Sequence, residues 1–195
     1  MEKSVYLDRT LAKYAGAFDI YRPYTIMNKE YPAYGYFFSC GEKYVLVKKA
    51  NLWSIHAYEH VLFMETETCT DDLISEIKKI ISDYMEPVLV RNNERYPEKD
   101  HMYSYLTVVM ICDRRPSDEV IKKIKHFRFE KDYMFTVRGH SEGHLICADM
   151  ESESVFTNSA ARQMKKIYSA TFNEVREGRL GYAEAFEKTE KSSAD

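Results

Sequence analysis

Val61-Leu62-Phe63-Met64, followed after a polar gap by Thr70-Asp71-Asp72-Leu73-Ile74-Ser75-Glu76-Ile77-Lys78-Lys79-Ile80, decides the fold, because the same pattern returns further along the chain. The second copy is Val108-Val109-Met110-Ile111, then Ser117-Asp118-Glu119-Val120-Ile121-Lys122-Lys123-Ile124-Lys125-His126-Phe127. A continuous apolar run of four reads as a strand covered on both faces. The segment after it spaces its apolar residues for one helical face, with a hydroxyl residue as N-cap and acids at the positive end of the helix dipole. A strand, a helix and a second strand in that order imply a right-handed crossover and a parallel pair.

Working outward, Asp8 can cap a first helix with Leu11, Tyr14, Ala15, Phe18 and Tyr21 on one face, stopped by Pro23. Tyr34 to Cys40 and Tyr44 to Lys48 read as a hairpin around Gly41-Glu42, and a third strand runs from about Ile55 to Glu65. In that strand His56, Tyr58 and His60 alternate with Ala57, Glu59 and Val61. The long polar connection from Met85 to His101 holds Val88-Leu89-Val90 as a candidate short edge strand. Tyr133 to Arg138 and Leu145 to Met150 read as a second hairpin around Gly139-His140-Ser141-Glu142-Gly143, and a last helix runs roughly from Ser159 to Arg176. The expected fold is α+β with an α/β-like core: a mixed sheet of five to six strands with helices packed on it, containing two consecutive strand-helix units. Residues 1–186 make one domain, and 187–195, almost without apolar side chains, a flexible C-terminal tail.

A chain of 195 residues suits one domain without metal or disulfide support. A net charge of −3 gives no overall attraction to nucleic acid or anionic membrane. Cys40, Cys69, Cys112 and Cys147 form no CxxC pair and read as free thiols in a reducing compartment. Met1-Glu2-Lys3-Ser4 opens no signal peptide, and the longest apolar-rich stretch, Leu106 to Cys112, is too short to cross a bilayer. A cytoplasmic location is expected.

Glu65, Asp113 and Asp149 stand at the carboxyl ends of apolar strands, where an open α/β sheet forms its binding crevice, and carboxylates converging there would suit Mg²⁺ or Mn²⁺. His56 with His60, and His140 with His144, are spaced to share a strand face, but a zinc site needs three or four ligands, and solvated histidine is the plainer expectation. There is no nucleophile elbow, P-loop or dinucleotide fingerprint. Cys69 reads as a quiet structural thiol. Tyr21-Arg22-Pro23-Tyr24 and Tyr31-Pro32-Ala33-Tyr34-Gly35-Tyr36 concentrate tyrosine, which makes Tyr21, Tyr24, Tyr31 and Tyr34 candidate binding residues, with a sheet-covering role as the alternative.

The order helix, three-stranded meander, helix, strand over Asp8 to Asp113 resembles the core of the restriction-endonuclease-like nucleases. That resemblance implies a metal held by an Asp on the second strand and an acidic-x-Lys triplet on the third. Here the second strand, Tyr44-Val45-Leu46-Val47-Lys48-Lys49, has no carboxylate. The third offers Glu59-His60-Val61 and Glu65-Thr66-Glu67, neither ending in Lys. Two function classes follow: a non-catalytic cytoplasmic interaction or ligand-binding domain without a cofactor, and a divalent-metal-dependent phosphodiesterase of degraded nuclease type. The first leads. Its partner is a protein or small-molecule ligand rather than nucleic acid or membrane, and association with a second copy stays open.

Overall fold

A computed structural model describes residues 1–43 and 53–187. In chain order it runs α1 (Lys3–Tyr14), β1 (Asp19–Tyr21), β2 (Tyr24–Ile26), β3 (Lys29–Tyr31), β4 (Ala33–Lys43), β5 (Trp53–Thr66) and α2 (Asp71–Ile80). A π-helical stretch (Ile81–Val90) extends α2, and then come β6 (His101–Cys112), α3 (Asp118–His126), β7 (Glu130–Asp132), β8 (His140–Asp149), β9 (Ser154–Thr157) and α4 (Lys165–Arg176). The main sheet has seven strands in the order β1-β4-β5-β6-β8-β7, with β9 also paired to β8, while β2 and β3 form a separate ribbon. β5, β6 and β8 are parallel and the other pairings antiparallel, so the sheet is mixed and the class α+β.

Both strand-helix units are present. Thr70 and Ser117 cap their helices, accepting from the backbone N–H groups of Leu73 and Val120, and the equivalent Ile77 and Ile124 are both fully buried. Side chains alternate across a strand, which divides the core in two. Val61, Phe63, Val109, Ile111 and Ile146 face α1 and α4. Leu62, Met64, Leu106, Val108 and Met110 face α2 and α3.

Several elements depart from the sequence expectation. The first helix starts at Lys3 and ends at Tyr14, burying Tyr6, Leu7, Thr10, Leu11 and Tyr14; Asp19–Tyr21 gains its backbone partners as an edge strand on β4 instead. Asp8, read as a cap, accepts from the backbone N–H of Ala183 and pairs with Arg22. Gly41-Glu42 makes no turn, since β4 continues to Lys43 opposite Trp53 of β5. The expected strand at Tyr44 to Lys48, and the tail beyond Glu187, lie outside the described residues. Val88-Leu89-Val90 is helical, not strand.

The largest correction is at β8. Tyr133 to Arg138 is a turn with Met134, Phe135 and Thr136 at positive φ, and the strand begins at His140, paired with β6 on one side and β7 on the other. Gly139, at φ 86°, permits this: a Cβ there would lie 2.5 Å from Nδ1 of His101 and 2.6 Å from the carbonyl of Met102. Residues expected in a hairpin loop are therefore in the middle of the sheet.

Candidate functional site

The parallel register of β5, β6 and β8 assembles a polar block on the face covered by α1 and α4. Glu59 stands opposite Tyr105, and Tyr105 opposite Glu142; two residues on, Val61, Thr107 and His144 are aligned in the same way. The Thr107 hydroxyl donates to Oε1 of Glu59 at 2.9 Å and lies 3.4 Å from Nδ1 of His144. The other imidazole nitrogen, Nε2, is 3.5 Å from Oε2 of Glu142. The Tyr105 ring stacks on the imidazole at 4.9 Å between centroids. Thr107 is fully buried and His144 nearly so.

Over this floor α1 contributes Lys13 and Tyr14, with Phe18 from the turn that follows; Ala160, Gln163, Met164 and Ile167 close the other side. Between them is a cleft of about 510 Å³, inside the range of about 300–1,000 Å³ usual for small-ligand sites. Burial pushes the Glu59 carboxyl above its ordinary range, against the hydrogen bond from Thr107. Burial likewise pushes His144 down, against the attraction of Glu142, so its imidazole is neutral near pH 7. At the rim, Nζ of Lys13 is held at 3.0 Å each by Glu174, the Thr171 hydroxyl and the Ile167 carbonyl.

Asn158 keeps the β8 end of this floor in register. Its Oδ1 accepts from the backbone N–H of Leu145 and Ala161 at 3.0 and 3.2 Å, and its Nδ2 donates to the carbonyls of Gly143 and Phe127 at 2.9 and 3.2 Å. The residues on both sides of His144 are thus tied to one buried amide.

The residues singled out from sequence are arranged differently. Parallel strands do bring Glu65, Asp113 and Asp149 to one edge of the sheet, but they do not converge. Glu65 is exposed, Asp113 pairs with Lys3 at 2.6 Å, and the fully buried Asp149 caps the following turn, accepting from the backbone N–H of Glu151 at 2.9 Å and from the Ser152 hydroxyl. Among the described residues no group of three or more His, Cys, Asp or Glu side chains could hold a metal ion. The Mg²⁺ or Mn²⁺ alternative thus has no ligand set there, and the second strand of the nuclease resemblance lies outside the described residues.

Of the candidate binding tyrosines, Tyr21 is exposed and Tyr24 half-buried, but Tyr31 and Tyr34 are buried. Tyr31 packs in the α2 core, while Tyr34 stacks on Tyr24 at 4.2 Å and reaches His60 through its hydroxyl. These two serve the sheet, not an outer surface. Cys69 is buried and its thiol is pushed up to about 12 by that burial, then by Cys112 and Asp71. It is inert.

The histidines differ most from expectation. His60 is 3% exposed; its Nδ1 is 2.6 Å from the Tyr34 hydroxyl, and its Nε2 is buried without a partner among the described residues. It lies on the α2 face, as do His56, whose imidazole contacts Glu98, and His101, bonded to the Arg138 carbonyl and the Ser104 hydroxyl.

Residues 2–170 match a family model described as a domain of unknown function, DUF8052. The chain belongs to the DUF8052 family. Glu59, Tyr105, Thr107, Glu142, His144 and Asn158 all fall inside the matched span, which ends within α4. No curated protein and no solved structure matches the chain.

Sequence reasoning passed over Thr107 and Asn158, and weighed Glu59 only within the triplet Glu59-His60-Val61. One signal was present: Glu59 alternates with Ala57 and Val61, so it shares a face with an apolar run entering the core, where a carboxylate stands out.

Proposed function

We propose that this domain is a non-catalytic, cytoplasmic ligand-binding module whose small-molecule ligand occupies the cleft between the sheet and α1 and α4. The observation that carries the reading is the position of Thr107. Thr107, His144 and Glu142 resemble a nucleophile, a base and its orienting acid, yet the hydroxyl is fully buried and donates its proton to Glu59. A substrate cannot reach it. What remains open is a cleft with polar groups at its floor and Tyr14, Phe18, Met164 and Ile167 along its walls, the pattern of a binding pocket. The cytoplasmic assignment is supported by three buried cysteines, Cys69, Cys112 and Cys147, none of them in a disulfide.

A fragment screen by ligand-observed NMR on the full chain tests the reading. Fragments are expected to bind, and Ala160→Trp or Ile167→Trp, which put an indole into the cleft, should abolish binding by most of them while the melting temperature stays within a few degrees. Absence of any binder, or binders indifferent to both substitutions, would overturn it.

A further inference from the structure

The charges that line the cleft are of unequal number. Two carboxylates, Glu59 and Glu142, line it, and the cation at its rim is already committed. An ammonium group has three protons to donate, and the three acceptors around Lys13 Nζ, on Glu174, Thr171 and Ile167, take all of them. Lys13 therefore cannot swing in to neutralise Glu59 without abandoning them. An anionic ligand would meet uncompensated negative charge in a partly desolvated space, where Coulomb energies are several-fold larger than in water. A cationic ligand would supply what the floor lacks. The walls suit it as well: Tyr14, Phe18 and Tyr105 line the cleft, and aromatic faces attract ammonium groups. The apolar side, Ala160, Met164 and Ile167, calls for a hydrocarbon body on the same molecule.

We propose that the ligand is an organic amine: a protonated primary or secondary ammonium group set against Glu59 and Glu142, carried on an aromatic or aliphatic body that lies against Tyr105, Met164 and Ile167. This rests on the cleft being a ligand site, and the test separates the two. Titration calorimetry on the full chain near pH 7.5 would use 2-phenylethylamine, its neutral isostere 2-phenylethanol, and phenylacetate. The amine should bind at least about tenfold more tightly than the alcohol, a difference of about 1.4 kcal/mol, and phenylacetate should not bind. Glu59→Gln should cost the amine about tenfold and leave the alcohol unchanged; Glu142→Gln, at a more exposed position where folding is not at risk, should weaken the amine less.

If the alcohol or phenylacetate binds as well as the amine, and Ile167→Trp removes that binding, the amine assignment is wrong and the cleft assignment survives. If none of the three binds at millimolar concentration while other fragments occupy the cleft, the amine assignment is again wrong. Amine binding that Glu59→Gln and Glu142→Gln both leave intact would place the cation elsewhere and overturn it too.

Discussion

Asn158→Ala is expected to lower the free energy of unfolding by about 3 kcal/mol, among the largest losses available to a single polar substitution in this chain. The amide is 2% exposed and satisfies four backbone groups at once, those of Leu145, Ala161, Gly143 and Phe127. Alanine leaves two N–H groups and two carbonyls without their partner. Each unsatisfied buried group costs about 1–3 kcal/mol, discounted where water can follow. Asn158→Asp isolates the cause: it keeps the acceptors for Leu145 and Ala161 but turns a carboxylate oxygen toward two carbonyls, so it should be at least as damaging. Urea melts at neutral pH read both. Losses below about 0.5 kcal/mol would show that this amide is not what holds β8.

Acid should destabilise the protein well before its carboxylates protonate. Burial pushes His60 down to about 4, helped by the neighbouring His101, and burial also lowers His101 and His144. A histidine whose folded pKa is depressed binds its proton more readily in the unfolded chain. Its contribution is therefore complete above the ordinary value of about 6.5 and is lost as pH falls from there toward the folded value. For His60 alone, a window from about 6.5 to about 4 corresponds to roughly 3 kcal/mol. His60→Gln, whose amide can still accept from Tyr34, should flatten the fall between pH 6.5 and 4 in chemical denaturation. An acid limb as steep in His60→Gln as in the parent chain would mean that His60 takes up its proton without unfolding pressure.

The parts of the fold legible in the sequence are those in which local chemistry and tertiary demand agree. Thr70 and Ser117 advertise helix starts, acidic first turns follow them, and Ile77 and Ile124 occupy the inner stripe, so nothing non-local is needed to place α2 and α3. β8 is the reverse case. His140-Ser141-Glu142-Gly143-His144 has loop composition, and it becomes a strand only because β6 and β7 supply partners on both sides. The helix after Ile80 was hidden by Pro87 and by the strand-like Val88-Leu89-Val90. α1 was displaced in the sequence reading because Lys3 is preceded by Glu2, which provides no side-chain cap.

The candidate site was hidden for a related reason. Its residues come from three separated strands, and their convergence is a matter of register, which a single strand does not reveal. The carboxylates at the strand ends were conspicuous in sequence because they follow apolar runs. Two of them are spent on ties of other kinds, Asp113 across the fold to Lys3 of α1 and Asp149 to its own turn. Glu59 lies inside an alternating stretch that reads as half exposed, and only the face it shares with Val61 marks it out.

Glu59 also gives the most direct test, because a carboxylate kept in a desolvated cleft for a ligand costs the free protein stability. Its folded pKa is raised by burial. The folded state therefore holds the proton more tightly than the unfolded one, and the stabilising contribution is present below the ordinary value of about 4.3 and lost as pH rises through the folded value. Glu59→Gln removes the charge and keeps an acceptor for Thr107. The measurement is the unfolding free energy of parent and Glu59→Gln at pH 8 and again near pH 4. A functional carboxylate predicts that the variant is more stable by about 1 kcal/mol at pH 8, with the difference closing near pH 4. A variant less stable than the parent at pH 8 would make Glu59 a structural tie and contradict the assignment of the cleft as the binding site.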